Sequence, residues 1–318
     1  MQEQILDFLK KKQDYVSGEE ISRHLNVSRQ ALWKHIQELR DAGYDIVAVP
    51  HLGYRLVSAP DKLFPFEISS HLNTKIIAKK VYYFDSLSST MDMGMKLGLE
   101  GSPEGTVVLA ETQTKGRGRF GRSWHSPKYK GIYMSLILRP KIMPNLCPVL
   151  TMLAAVSIVE AIKAKTDLDV QIKWPNDLLI RNKKLGGILT ELNAETDETS
   201  FIVIGAGLNV NNGKEALVAQ SSSLKEEKNE EINRVDLLQE VLRKIEENYV
   251  VFKQAGGAPT LEKWRGFNVT LGRRVKVVYH NKHIEGEAVD IDSDGGLLIR
   301  RDSGLTEKVM AGDIVHCR

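Results

Sequence analysis

Three arginines and three glycines lie within one ten-residue stretch, residues 115–124 (KGRGRFGRSW). Glycine allows the backbone to take positive φ and to approach a ligand closely. Arginine offers a planar fork of N–H donors that matches a phosphate or a carboxylate. The stretch therefore predicts a loop that clamps a phosphate, and it is not a Walker A loop because the Gly-Lys-Ser/Thr ending is missing. A solvated basic loop or a glycine-rich hairpin tip is the alternative interpretation.

Three further motifs place polar side chains beside predicted strands. Residues 173–177 (KWPND) set a lysine, an amide and a carboxylate around a strand end, where Asp177 or Asn176 could help to hold Mg²⁺. Residues 183–187 (KKLGG) present lysines beside exposed backbone, and residues 205–211 (GAGLNVN) bring an amide to another strand end. Each motif alone is equally typical of an ordinary turn, but together with the arginine loop they favour one anion-binding site.

The elements that must position these motifs follow from hydrophobic periodicity. The pattern predicts a central region of mixed α and β structure, in which residues 221–231 form a solvated loop. The predicted strands are residues 80–84, 106–112, 131–138, 171–175, 177–180, 185–191 and 201–209, with the last two adjacent in the sheet. The predicted helices are residues 90–98, 146–165 and 235–254.

The N-terminal region predicts a winged helix-turn-helix. Ser17 and Ser28 are typical helix N-caps, the second before a helix over residues 29–41, and a hairpin over residues 46–57 would form the wing. A helical protein-interaction module is the alternative. The side chains that we expect to contact DNA are Ser28, Arg29, Gln30, Lys34 and His51.

The C-terminal region has strand-like runs at residues 274–279, 283–291, 297–300 and 305–309, separated by turns, which predicts a small SH3-like β-barrel. The predicted domains are therefore residues 1–60, 63–268 and 270–318, with a linker at residues 58–61.

Composition is that of a soluble globular protein. The 318 residues are 42% hydrophobic and 27% charged, with a net charge of +3, so any nucleic-acid binding must depend on a local basic surface.

The two cysteines, Cys147 and Cys317, are far apart and have no metal-binding spacing. The first residues lack the apolar core of a signal peptide, and no run of 18 apolar residues occurs. These features predict a cytoplasmic protein.

The motifs GRGRFGRSW, KWPNDL, KKLGGILTE and GAGLNVN occur in this order behind a winged helix and before a small β-barrel. In this arrangement the chain resembles, over essentially its whole length, the bifunctional biotin protein ligases that are also repressors of the biotin operon. The resemblance implies a central domain like that of class II aminoacyl-tRNA synthetases, an α+β fold with a mixed sheet and flanking helices.

The resemblance also implies the reaction and its partners. Biotin and ATP, with Mg²⁺, give biotinyl-5′-adenylate, and the lysine ε-amine of a biotin carboxyl carrier domain then takes the biotin. With the adenylate bound, the protein is expected to form a homodimer that binds operator DNA and represses biotin synthesis genes. Two alternatives are a winged-helix transcription factor that only senses an anionic ligand, and a lipoate or octanoate ligase of related fold.

The resemblance assigns roles to individual residues. Arg119 and Lys184 are implied to be catalytic. Biotin contacts are implied for Ser89, Thr90, Gln113, Gly116, Arg117, Gly118, Trp124 and Lys184. ATP or adenylate contacts are implied for Arg119, Arg122, Lys173, Asn176 and Asn209. Met91 and residues 221–223 depart from the family pattern, so the contacts to adenine within residues 212–231 stay open.

Overall fold

The computed structural model describes residues 1–194, 198–279 and 282–316. The chain divides into two compact units, Met1–Lys62 and Leu63–Arg318. Cys317, whose role the sequence leaves open, lies outside the described residues, whereas Cys147 is a buried free thiol.

The first unit has the predicted winged helix-turn-helix architecture. Its elements are α1 (Gln2–Lys12), α2 (Gly18–Leu25), α3 (Arg29–Ala42), β1 (Asp45–Val49) and β2 (Gly53–Ser58). Both predicted caps are confirmed, because the Oγ atoms of Ser17 and Ser28 each accept a backbone N–H at 3.1 Å. The two strands pair antiparallel, and β2 begins at Gly53 with φ of +108°. A Cβ there would lie 2.0 Å from the carbonyl oxygen of Val16, so this wing requires glycine.

The second unit is built on a mixed sheet. Its strands are β3 (Val81–Phe84), β4 (Val107–Ala110), β5 (Gly131–Leu138), β6 (Gln171–Lys173), β7 (Asp177–Ile180), β8 (Lys183–Ala194) and β9 (Thr199–Asn209). Their order is β3-β4-β5-β9-β8-β7-β6, and β3 and β4 pair parallel while the other neighbours pair antiparallel. The predicted mixed sheet is confirmed, and so is the adjacency of β8 and β9.

Helices cover both faces of this sheet. They are α4 (Pro65–Ser69), α5 (Thr90–Leu99), α6 (Cys147–Thr166), α7 (Leu224–Lys228), α8 (Arg234–Ala255) and α9 (Ala258–Phe267). The segment Pro144–Thr166 is long and apolar enough to cross a membrane, but 72% of its most apolar stretch is buried inside the protein. Because α6 packs against α8, α9 and the sheet, this apolar character is explained by its place in the core. The sequence pattern did not indicate α4 or α9.

The prediction of a solvated loop over residues 221–231 is wrong. Ser222, Ser223 and Leu224 are buried, and α7 begins at Leu224. The serine hydroxyls are satisfied internally, because Ser223 Oγ donates to the carbonyl of Asn212 and Ser222 Oγ donates to Glu227. A polar tract can be buried when each polar group has a partner within the protein, and composition does not reveal such partners.

The C-terminal region forms the predicted small β structure. Its strands are β10 (Arg274–Tyr279), β11 (Lys282–Ile291), β12 (Leu297–Arg300), β13 (Thr306–Val309) and β14 (Asp313–His316), in the antiparallel order β13-β12-β11-β10-β14. The sequence pattern locates the first four of these strands, whereas the structure supplies β14. The indole Nε1 of Trp174 donates to the carbonyl of Gly295 at 3.0 Å, so the segment between β6 and β7 is held against this sheet.

Candidate active site

A cavity of about 520 Å³ lies where the predicted motifs meet. The arginine loop, the β6–β7 turn and strands β8 and β9 contribute its walls. The predicted site residues that line it are Thr90, Gln113, Arg117, Gly118, Arg119, Arg122, Trp124, Lys173, Asn176, Asp177 and Lys184. Ser89, Gly116 and Asn209 do not line it.

One wall of the cavity is apolar and is formed around Trp124. The indole ring lies directly on β9, because a Cβ at Gly207 would come within 2.5 Å of its Nε1 atom. Met91 and Ala206 line the cavity beside it. Glycine at position 207 is therefore needed for the close approach of a strand and an aromatic ring. This wall suits the apolar part of a ligand.

A hydrogen-bonded cluster forms the next wall. Thr90 donates to Gln113 Oε1 through both its backbone N–H, at 2.8 Å, and its hydroxyl, at 3.1 Å. Gln113 Nε2 donates to Ser126 Oγ at 3.0 Å, and Ser135 Oγ donates to Thr90 Oγ1 at 2.9 Å. Each member is oriented by another, so the donors and acceptors that face the cavity are fixed before a ligand arrives.

Two buried polar atoms of this region have no hydrogen-bond partner among the described residues: Ser89 Oγ and Trp124 Nε1. Ser89 is 1% exposed and precedes α5, yet its hydroxyl makes no capping bond. A capping role alone therefore does not explain it. Buried polar groups are normally paired, so these two atoms are exceptions, although Ser89 does not line the cavity and Trp124 Nε1 lies against Gly207.

The opposite end of the cavity is cationic. Lys184 Nζ donates to Asp177 Oδ1 at 2.6 Å. Arg119 Nη1 donates to Asn176 Oδ1 at 3.1 Å and to the carbonyl of Gly312 at 3.3 Å. Asn176 is itself held by its Nδ2, which donates to the carbonyl of Ile188 at 2.6 Å. Lys184 on β8, Arg119 in the arginine loop and Lys173 at the end of β6 thus place their cationic groups around one cavity.

Burial lowers the pKa of both Lys173 and Arg119. For Lys173 the nearby Lys184 lowers it further, while Asp177 and Asp313 oppose the shift. A pKa lowered by burial means that the cation has lost water without receiving full compensation from carboxylates. A bound anion would supply that compensation, so this end suits an anion rather than a neutral group.

The two remaining loop arginines have carboxylate partners. Arg117 pairs with Asp92 at 2.5 Å and with Glu191, and these contacts raise its pKa although burial opposes them. Arg122 pairs with Asp313 of β14. Asp92, Glu191, Asp313 and Gly312 were not found from the sequence, because no local motif marks them.

The glycines of the loop and Asn209 have structural contacts. Gly116 accepts the backbone N–H of Trp124 at 2.8 Å, and Gly118 donates to the carbonyl of Arg122 at 2.7 Å. Asn209 is buried, and its Nδ2 donates to the carbonyl of Ser222 at 3.1 Å. Gly116 and Asn209 therefore support the walls, and their contact with a ligand stays a prediction.

Two carboxylates, those of Asp177 and Asp313, line the cavity, and each is paired with a cation. Within the described ranges, no three His, Cys, Asp or Glu residues cluster in a way that could hold a metal ion. Asp177 Oδ1 accepts from Lys184. Mg²⁺ is commonly held by one or two carboxylates together with the phosphates of a substrate, so the donor set fits an ion that is brought by a nucleotide.

In the first unit the predicted DNA contacts lie on α3 and the wing. Gln30 is exposed, and exposed ion pairs join Arg29 to Glu19 and Lys34 to Glu38. His51 lies in the wing turn with φ of +65°. Exposed ion pairs are worth little, so both cations can exchange a carboxylate for a phosphate.

Comparisons with known proteins agree with this geometry. Residues 83–209 match a model of the biotin/lipoate A/B protein ligase family, residues 1–55 match an HTH domain, and residues 270–317 match the biotin protein ligase C terminal domain. The chain is 40% identical over 305 residues to the bifunctional ligase/repressor BirA of Bacillus subtilis, and these residues cover 95% of this chain and 94% of that protein. It is 32% identical to the BirA of Escherichia coli over 303 residues, 95% of this chain and 92% of that protein.

Solved structures show the same relationship. The biotin protein ligase of Aquifex aeolicus in complex with biotin and ATP superposes with a TM-score of 0.65 at 30% identity, over 76% of this chain and 99% of that one. The biotin protein ligase of Leishmania major in complex with biotinyl-5-AMP superposes with a TM-score of 0.52 at 21% identity, over 73% and 99% of the two chains, and shows the shared fold.

Proposed function

Because the chain belongs to the biotin protein ligase family, we propose that it activates biotin with ATP, transfers it to a protein lysine and represses transcription through its winged helix. The observation that carries this function is the cavity itself. An apolar wall around Trp124 leads to a cationic end formed by Lys184, Arg119 and Lys173. Biotinyl-5′-adenylate has the matching character, an apolar ring and tail joined to an anionic phosphate.

In the first step the carboxylate of biotin attacks the α-phosphate of ATP, and pyrophosphate leaves. Since two anions must be brought together, fixed positive charge is the main requirement. Lys184 and Arg119 would stabilise the developing charge, and Arg122 and Lys173 would hold the phosphates. Mg²⁺, bound with the triphosphate and Asp177, would neutralise further charge.

At the other wall, Thr90 and Gln113 would bind the ureido ring of biotin together with Ser89, and Trp124 would pack beside the ring and tail. Arg117, Gly116 and Gly118 would close over the biotin end. This part of the site selects biotin because a ureido group has both donors and an acceptor, and unpaired polar groups in a dry pocket would be costly. Asn209 would lie near the adenylate.

In the second step the neutral ε-amine of a lysine attacks the carbonyl carbon of the mixed anhydride. A C–N bond forms, the C–O bond to the phosphate breaks, AMP leaves with the bonding electrons, and the nitrogen releases one proton to water. The acceptor that we propose is a biotin carboxyl carrier domain in the cytoplasm.

Exchange of labelled pyrophosphate into ATP tests the first step. We expect exchange that depends on biotin, and transfer of biotin to a carrier domain when one is added. A protein that only senses a ligand would give no exchange, and a lipoate ligase would exchange with lipoate rather than biotin. Either result would overturn the proposed ligase activity.

The pH dependence of exchange should reflect Lys173. Because burial lowers its pKa, Lys173 loses its charge at a lower pH than an ordinary lysine as pH rises, and exchange should fall early on the alkaline side. Lys173→Arg, which stays charged, should move this decline to higher pH, whereas Lys183→Arg should leave the profile unchanged. An identical alkaline decline in wild type and Lys173→Arg would contradict this role.

For repression we propose that the adenylate-bound protein is a homodimer, since twofold operators require two winged helices. Each Lys34 would then contact a phosphate.

Lys34→Ala should weaken binding to duplex DNA of any sequence and reduce the slope of log K against log salt by about one per subunit. Fluorescence anisotropy with a labelled random-sequence duplex measures both quantities. Lys11→Ala on α1 is the control, and equal slopes for the two variants would exclude Lys34 from the interface.

A further inference from the structure

A second cavity of about 270 Å³ adjoins the adenylation cavity. The two share the walls Arg119, Trp174, Pro175, Asn176, Ile188 and Leu189. The second cavity is bounded elsewhere by the start of α6, by strand β8 and by Met310 after β13. Arg119, which donates to Asn176, therefore stands between the two spaces.

We propose that the second cavity is the entrance for the acceptor lysine side chain, and this inference rests on the proposed ligase function. In the second step an amine from another protein must reach the carbonyl of the adenylate, which the proposed function places between Trp124 and Lys184. The second cavity reaches the shared wall at Arg119 from a different side. Its volume is below the roughly 300–1,000 Å³ of pockets that hold a whole small-molecule ligand, so it suits one inserted side chain.

The lining fits the chemistry of a lysine nucleophile. Met152, Leu192 and Met310 give apolar surface for its four methylene groups. Such surroundings disfavour the ammonium form, and so does the nearby cationic Arg119. Since only the neutral amine attacks, the cavity would lower the pKa of the entering lysine in the direction that the reaction requires.

One polar feature lies in this wall. The hydroxyls of Thr151 and Thr190 are 2.7 Å apart and both line the cavity. They join α6 to β8 and offer an oxygen acceptor along the path of the amine. At the mouth, Leu192 and Met310 are 40% and 39% exposed. Two apolar side chains at an open mouth can pack against the residues that flank an acceptor lysine.

Leu192→Trp and Met310→Trp test the assignment, because both residues are partly exposed and neither lines the adenylation cavity. Each variant, with excess enzyme and chemically prepared biotinyl-5′-adenylate, is given either Nα-acetyl-lysine amide or hydroxylamine. We expect transfer to the lysine derivative to fall at least about tenfold, and transfer to the much smaller hydroxylamine to stay near wild type. Leu305→Trp is the matched control, because Leu305 lies directly before β13, is 59% exposed and lines neither cavity.

Unchanged transfer to the lysine derivative would overturn the inference. An equal loss with both nucleophiles, or a parallel loss of ATP–pyrophosphate exchange, would also overturn it, because the second cavity would then be part of the adenylation chamber. Since the adenylate is supplied preformed, absence of exchange in the wild type would count against the proposed first step alone. The short lysine derivative has no carrier surface, so its slower reaction cannot be explained by lost docking of a protein.

Discussion

Lys184→Ala is expected to slow biotin-dependent ATP–pyrophosphate exchange by roughly 10²–10³-fold, the usual cost of removing one preorganised group that stabilises transition-state charge. Lys184 Nζ lies 2.6 Å from Asp177 Oδ1 and 5.7 Å from the centroid of the Trp124 ring, so it stands between the apolar wall and the phosphate end. Its removal also takes from the Asp177 carboxylate its hydrogen-bonded cation, which weakens the attraction of this end for an incoming phosphate.

Lys183→Ala is the matched control for this prediction. Lys183 precedes Lys184 on β8 but is exposed, and its contact with Glu227 is 4.0 Å long. We expect its exchange rate to stay within about twofold of wild type, since a single exposed ion pair contributes little. Equal rates for the Lys183 and Lys184 variants would remove Lys184 from the catalytic assignment.

Arg234→Ala is expected to have the largest effect on stability, a loss of about 3–5 kcal/mol in the free energy of unfolding. Arg234 at the start of α8 pairs with Glu111 at 2.7 Å, and both side chains are 0% exposed. Arg234 also donates to the carbonyl of Gly131, while Glu111 accepts the backbone N–H of Leu63. Removing the arginine leaves a carboxylate in the core that must either stay charged without its partner or take up a proton.

Urea unfolding of the second unit measures this loss. Trp124, Trp174 and Trp264 all lie in that unit, so a Trp33→Phe background restricts the fluorescence signal to it. Lys244→Ala, which removes a surface pair with Glu247 on the same helix, should change stability by no more than about 1 kcal/mol. A similarly small change for Arg234→Ala would show that the buried pair is not what holds α8 to the sheet.

The anion-binding character of the site was predictable because it follows from the types of residue in short stretches of the sequence. Arginine and glycine alternate in one loop, and a lysine and an amide follow a strand end. Each of these two patterns lies within ten residues of sequence. The winged helix was predictable for a similar reason, since the caps at Ser17 and Ser28 and the hairpin turn act within one or two turns of chain. The order of the motifs along the chain indicated the family resemblance, which the comparisons confirm.

Contacts between distant positions were not predictable in this way. Arg122 meets Asp313 across 191 positions, and Arg119 meets the carbonyl of Gly312 across 193. Nothing near Asp313 distinguishes it from any other acidic residue of a short strand. The burial of Ser222 and Ser223 was likewise missed, because their partners include residues outside this tract: the carbonyl of Lys184 accepts the Ser222 backbone N–H, and the carbonyl of Asn212 accepts from Ser223 Oγ.

The sequence by itself thus determined the local elements, the charge of the site and the family of the protein. The tertiary structure alone decided which cations share a space, which of them are paired with carboxylates, and that a second cavity meets the first at Arg119. The physical reason is the separation along the chain between the residues that interact. Helix caps, turns and strand periodicity depend on neighbours along the chain, whereas the pairing of Arg119 with Asn176 joins residues 57 positions apart.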